Sequence, residues 1–191
     1  MSGGGAQRSP VADESADAAG DRDQQARFRQ VLGHLPTGVT VVTAYDRGDP
    51  VGMSSNSITS VSLNPPLILF CPARTSTTWP RIRESGRFCV NIFAAHHEEA
   101  SRQFSRTGVD RFTGVSWHKR PSGPALDDAV AWIECAIDAI HDGGDHLIVV
   151  AAVQRLEVRE GPVEPLVFFR GRYGSFSSPE VRASSPGDRE S

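Results

Sequence analysis

Seven short segments rich in apolar and β-branched residues recur along the chain, at 38–45, 51–62, 67–71, 87–93, 132–141, 146–158 and 165–170. Segments of this length and composition are strand-forming. The turn signals between some of them, RGDP at 47–50 and DGGDH at 142–146, leave no room for helical crossovers. Helical spacing is confined to short stretches. Phe28, Val31, Leu32 and Leu35 share one helix face that Pro36 stops. Residues 77–85 carry Pro80 in a first turn, and 96–105 read as a further helix. Alternating βαβ units are absent. The pattern predicts a mainly β protein, an antiparallel barrel that is closed or nearly closed. Closure removes the edges that strands this apolar would otherwise present.

The chain has 191 residues, a prior for one domain with a core that needs no staples. It is short for a dehydrogenase with separate dinucleotide and substrate domains. The net charge of -3 sits in the termini. Residues 1–26 hold two basic and five acidic side chains and 176–191 hold two and three, leaving sixteen basic and fifteen acidic residues in 27–175. That balance gives no general pull toward nucleic acid or an anionic membrane. The Gly-, Ala-, Ser- and Asp-rich segment 1–26 and the segment 176–191 are expected to stay unordered, with the folded domain at 27–175. No apolar run is long enough for a membrane span and no secretory leader is visible, so the cytoplasm is the expected compartment.

Most catalytic patterns are missing. Cys71, Cys89 and Cys135 are odd in number, widely spaced and without a CxxC, which excludes a disulfide framework and a cysteine zinc site. The adjacent His96 and His97 point in different directions on a helix, and no HExxH or Asp-rich calcium loop occurs. There is no GxSxG, no GxGxxG and no phosphate-binding P-loop. A dinucleotide or flavin would have to bind without a Rossmann unit.

What remains is a concentration of small hydroxylated residues in two loops. One is Gly52-Met53-Ser54-Ser55-Asn56-Ser57, continuing to Ser60 and Ser62; the other is Arg74-Thr75-Ser76-Thr77-Thr78. Small side chains let a flat ligand lie against backbone, and their hydroxyls and N–H groups suit a heterocycle edge, a ribityl chain or a phosphate. Thr78 stands at an expected helix N-cap, and Arg74 could add a charge-assisted bond. His146 follows a hairpin turn at a loop rim, and Tyr173 could offer an aromatic face to a ligand.

These pieces, in this order, resemble the flavin reductase-like family with an FMN-binding split barrel, the small reductase components of two-component flavin-dependent monooxygenases. The resemblance rests on Pro36-Thr37-Gly38-Val39, Gly52–Ser57 with Ser60-Val61-Ser62, Asn64-Pro65-Pro66-Leu67 and Ser76-Thr77-Thr78-Trp79. It continues through Phe88-Cys89-Val90-Asn91, Asp110-Arg111-Phe112, Gly143-Gly144-Asp145-His146 and Phe169-Arg170-Gly171, and so covers about 27–175.

The resemblance implies a homodimeric Greek-key split barrel with a few short helices. It implies hydride transfer from NADH or NADPH to free FAD or FMN, with the reduced flavin passed to a partner monooxygenase. Thr37, Gly38 and Val39 would approach the isoalloxazine, Ser54, Ser55, Asn56 and Ser57 its polar edge and ribityl chain, and Ser76, Thr77 and Thr78 the phosphate. His146, the catalytic candidate, would face the nicotinamide with Phe169, Arg170 and Tyr173 nearby. Met53, Ser60, Ser62, Cys71, Pro72, Ala73, Arg74, Asn91, Phe104 and Asp145 complete the expected cofactor-binding set. The missing nucleophiles and metals agree with a reaction whose chemistry the cofactors carry. The alternatives are a split-barrel oxidase with tightly bound flavin and a non-catalytic flavin-binding protein.

Overall fold

In the computed structural model, which describes residues 14–177, the elements run α1 (Glu14–Leu32), β1 (Thr37–Gly38), β2 (Thr40–Asp46), β3 (Asp49–Ser55), β4 (Thr59–Leu63), β5 (Pro66–Phe70), α2 (Trp79–Ser85) and β6 (Arg87–Ile92). A short 3-10 turn leads into α3 (Glu98–Ser105), followed by β7 (Trp117–His118), β8 (Ala125–Leu126), β9 (Ala131–Gly143), β10 (His146–Val158), β11 (Leu166–Phe169) and β12 (Arg172–Ser175). Seven strands pair antiparallel in the order β3-β2-β6-β9-β10-β5-β4, and β1, β11 and β12 form a second, small sheet. The two edges of the large sheet, β3 and β4, are neighbours in sequence, joined only by residues 56–58. That link spans about 14 Å at most. The sheet therefore curls until its edges stand close without pairing, and the gap is the split of the barrel.

The strand sequences explain this. β2 is buried on both faces, so it reads as a continuous apolar and β-branched run rather than an alternation. Val42 and Ala44 point into the barrel core with Phe70, Phe88, Val90, Val149 and Ala151. Val41 points the other way, to Val39, Phe93, Phe104, Leu126 and Leu166. The helix α2 closes the first core by setting Trp79 edge-on to Phe70 at 5.5 Å, and it stops at Gly86, whose φ of 67° is left-handed. The helix α3 closes the second. Gly52 of β3 is a glycine because Phe104 of α3 lies on it: a Cβ there would stand 2.8 Å from the ring.

Expectation and structure differ at the N-terminus. Phe28, Val31 and Leu32 of the expected helical face lie at the end of a longer helix that starts at Glu14, within the segment expected to stay unordered, and stops at Leu32, so Leu35 lies beyond it. Its Glu, Ala, Gln and Arg residues are strong helix formers, so local propensity works where apolar burial does not. Residues 1–13 and 178–191 of the expected tails lie outside the described residues. The structure divides into two compact units at the Leu35/Pro36 boundary. Among the described residues no helix is long and apolar enough to cross a membrane.

Candidate functional site

The split gathers the hydroxyls. β3 ends in Ser54 and Ser55, and the chain turns through Asn56 and Ser57 before β4. Ser55 Oγ lies 3.2 Å from Ser57 Oγ, and the Cys71 amide donates to Ser57 Oγ at 2.9 Å. This ties the split to the loop after β5. Farther along that loop the Ser76 hydroxyl reaches Met53 Sδ at 3.7 Å and accepts the Trp79 amide at 3.1 Å. Ser76 thus caps α2. Thr78 occupies the expected N-cap position, but its side chain makes no cap bond. Its hydroxyl accepts instead from Arg111 Nη1 at 2.6 Å.

Above the split, Thr37 and Gly38 are held by pairing of β1 with β11, and Val39 donates to Leu166 O at 3.1 Å. Thr37 Oγ1 is buried and has no hydrogen-bond partner. Space is open where a Cβ on Gly38 would point. Ser54, Ser55 and Asn56 share a cavity of about 200 Å³ with Val39, Phe168 and Tyr173. Next to it, Phe169, Arg170 and Tyr173 line an open groove of about 830 Å³ with Pro36 and Phe176. Arg170 and Gly171 form the two-residue β11–β12 turn, with φ of 50° and 76°. Arginine in a left-handed turn is a strained choice, of the kind that collects at functional sites.

His146 stands elsewhere, at the tip of the β9–β10 hairpin, bridged to Ala73. Its Nδ1 lies 2.7 Å from Asp145 Oδ1, and the ring is half exposed. Arg74 is committed to this tip. Its backbone N donates to Asp145 O at 2.9 Å, its Nε donates to Gly144 O at 2.8 Å, and its guanidinium pairs with Asp142. A ligand phosphate would have to compete with these partners. Cys71, Pro72 and Ala73 form the adjoining wall, with Leu147 N donating to Pro72 O at 3.0 Å. Burial raises the Cys71 thiol above its ordinary pKa.

Two of the expected ligand residues turn inward. Asn91 is fully buried and spends its amide inside the protein: Oδ1 accepts from Leu126 N at 2.7 Å, and Nδ2 donates to Val41 O at 3.1 Å. Phe104 is fully buried against Gly52. In this structure both are part of the barrel's frame. Ser60 and Ser62 lie on β4 beyond the split, Ser60 exposed.

Two residues were missed. Arg111 donates from Nη1 to Gly52 O at 2.7 Å as well as to Thr78, and from Nε to Arg106 O at 2.7 Å. With Thr77, Thr78 and Arg81 it lines a polar cavity of about 410 Å³. Its partners are oxygens without formal charge, and burial, with the nearby Arg81, lowers its pKa. Its signal lay in Asp110-Arg111-Phe112, which carried no assigned role. Ser101 of α3 is fully buried, with its hydroxyl among those of the split. Nothing in its sequence context marks it.

Hydroxyls at the gap of the barrel, an unpartnered threonine and a cationic polar cavity have the chemistry to take a flat ligand with a polar edge and a phosphate. The chain belongs to the flavin reductase-like family: the model of the flavin reductase like domain matches residues 32–177. The reductase subunit HsaB of a flavin-dependent monooxygenase from Rhodococcus jostii (strain RHA1) is 43% identical over 167 residues, 86% of this chain and 84% of the relative. The FMN reductase (NADH) SmoA from Agrobacterium fabrum (strain C58 / ATCC 33970) is 41% identical over 151 residues, 78% and 85% of the two chains. Among solved structures, the Streptomyces globisporus C-1027 NADH:FAD oxidoreductase SgcE6, in complex with NAD and FAD fragments, superposes with a TM-score of 0.78 at 37% identity, covering 83% of this chain and 96% of that one.

Proposed function

We propose that this protein is an NAD(P)H:flavin oxidoreductase that reduces free FAD or FMN and releases the reduced flavin to a separate monooxygenase. The observation that carries the reading is the Thr37 hydroxyl, buried and unpartnered beside the open face of Gly38. A buried hydroxyl without a partner is costly, and a heterocycle edge laid against Gly38 supplies one. The residues present fit a flavin. Thr37, Gly38 and Val39 take the ring, and Ser54, Ser55, Asn56 and Ser57 bond its polar edge and ribityl chain. Ser76, Thr77 and Thr78 hold the phosphate, with Arg111 behind Thr78. Bound together, flavin and nicotinamide supply the hydride acceptor and donor. The protein's part is to stack them at reacting distance and exclude other poses. Tyr173, Phe169 and Arg170 in the groove orient the nicotinamide, and His146, apart from that groove at the hairpin tip, is the second candidate for this role.

The active form is a homodimer. Val61 and Leu63 on edge strand β4, and Leu156 and Val158 where β10 runs past its pairing with β5, are exposed apolar side chains, with Leu63 92% exposed. Covering them with a second copy removes an edge liability. Replacing Leu63 with Glu should shift the light-scattering mass toward that of one chain; an unchanged mass would reject this face.

The deciding experiment mixes the protein with NADH or NADPH and free FAD or FMN and follows nicotinamide absorbance. Oxidation with at least one pair is expected. No oxidation with any pair would overturn the reading, and a yellow protein that keeps its flavin through desalting would favour a tight-binding oxidase.

A further inference from the structure

Behind the split runs a line of hydroxyls joining three elements that are distant in sequence. Ser54 Oγ on β3 lies 3.2 Å from Ser101 Oγ on α3, and Ser101 Oγ lies 3.0 Å from the Tyr173 hydroxyl on β12. The ends of the line differ from its middle. Ser54 and Tyr173 both face the cavity of about 200 Å³. Ser101 is fully buried behind it. Tyr173 is held in place independently, by the Arg102 guanidinium 4.8 Å over its ring and by Phe168 packed edge-on at 5.2 Å.

We propose that Ser101 is a positioning residue that joins the Ser54 and Tyr173 hydroxyls into one hydrogen-bonded unit, so that a ligand group at Ser54 is felt at Tyr173. Proton counting gives the reason. Each hydroxyl carries a single hydrogen, and two of the three are used inside the line when the bonds run in one direction. A ligand acceptor at Ser54 selects the direction Tyr173 to Ser101 to Ser54, which leaves the Ser54 hydrogen for the ligand. A ligand donor at Ser54 is accepted in either direction and leaves the line free to reverse, which turns the Tyr173 hydrogen outward to the cavity. The line therefore serves an acceptor and a donor equally well. That is the requirement at a ring whose edge takes up hydrogen during the reaction. It also links the flavin side of the site to the side given to the nicotinamide. This inference rests on the placement of Ser54 at the flavin edge made above.

The test uses the full chain and no turnover. Dissociation constants of oxidised FMN are read from flavin fluorescence for Ser54→Ala, Tyr173→Phe, Ser101→Ala and their combinations, with unfolding midpoints confirming the fold. Tyr173→Phe keeps the ring and its packing and should weaken binding about 3- to 10-fold, the range of one net hydrogen bond. In the Ser101→Ala or Ser54→Ala background the same substitution should change binding less than about twofold, because a cycle reports coupling only while the link is intact. If Tyr173→Phe has the same effect in all backgrounds, the relay is overturned while Ser54 keeps its place at the flavin. If Ser54→Ala alone leaves binding unchanged, that placement fails and the relay falls with it. Should Ser101→Ala not fold, the Ser54/Tyr173 cycle decides alone, non-additivity supporting the relay and additivity rejecting it.

Discussion

Arg111 Nη1 donates to Thr78 Oγ1 at 2.6 Å and to Gly52 O at 2.7 Å, so one guanidinium nitrogen braces the loop after β5 against β3. Arg111 adds charge to the loop proposed to hold the phosphate, and its own bonds are to oxygens that do not neutralise it.

Removing that charge should therefore discriminate between flavins. Arg111→Ala is expected to weaken FMN about 10-fold or more, given ~1.5–3 kcal/mol for a hydrogen bond to a charged group. Riboflavin, which lacks the phosphate, should change less than about threefold. A Thr77→Ala/Thr78→Ala double variant should show the same preference. Equal losses for both ligands, measured by fluorescence titration, would detach these residues from the phosphate.

Gly52 is fixed by its neighbour. A Cβ there meets Phe104 Cε1 at 2.8 Å and Thr43 Cγ2 at 3.2 Å, and both residues are fully buried. Gly52→Ala should destabilise the barrel unit by about 1–3 kcal/mol, the usual range for overpacking. Adding Phe104→Leu should recover part of that loss in denaturant unfolding. A Gly52→Ala variant as stable as the parent would mean that α3 shifts freely on β3.

Much of this architecture could be read from the chain. The β-branched run 38–45 and the two-residue turns at Arg47-Gly48 and Gly144-Asp145 specify their hairpins locally, and those strands pair as expected. The resemblance brought the hydroxyl loops to one gap because their order along the chain is distinctive. What stayed hidden depends on long-range packing. Asn91 entered the expected cofactor set through the resemblance, as the end of Phe88-Cys89-Val90-Asn91. Only the approach of β8 shows that Leu126 N consumes its Oδ1. Phe104 and Ser101 sit three residues apart on α3, both fully buried, yet one packs on Gly52 and the other completes a line of hydroxyls. Helical periodicity marks such a face as inward but does not say what it meets.

The buried thiols set an alkaline limit on stability. Burial pushes Cys89 and Cys135 from 9.0 up to about 12, with the Glu134 carboxylate adding to the effect at Cys89. Below about pH 9 both thiols are protonated in the folded and unfolded states and contribute nothing to the pH dependence. Between about 9 and 12 the unfolded chain releases protons that the folded one keeps. Stability should then fall by up to about 1.4 kcal/mol per pH unit for each thiol. Unfolding midpoints from pH 8 to 11 should drop more steeply in the parent than in Cys135→Ala; parallel curves would reject the assignment. Below pH 9 both thiols should also resist alkylation until the protein unfolds.

His146 offers the sharpest division between binding and chemistry. Its ring is half exposed at the β9–β10 tip, with Nδ1 oriented by Asp145 Oδ1 at 2.7 Å. The tip itself is latched by Arg74, through Gly144 O and Asp142. Deleting the ring therefore leaves the hairpin anchored and removes only what the ring presents to a ligand. His146→Ala should raise the NADH KM or slow hydride transfer by about 10-fold, in line with a lost positioning or acid–base group. Its flavin dissociation constant should stay within about twofold of the parent. Asp145→Asn keeps a hydrogen-bonding oxygen beside Nδ1 and should show a smaller effect of the same kind. If His146→Ala weakens flavin binding as much as it affects NADH, the ring serves the flavin side. If neither moves, His146 is a residue of the turn, and the nicotinamide is oriented by the Phe169–Tyr173 hairpin without it.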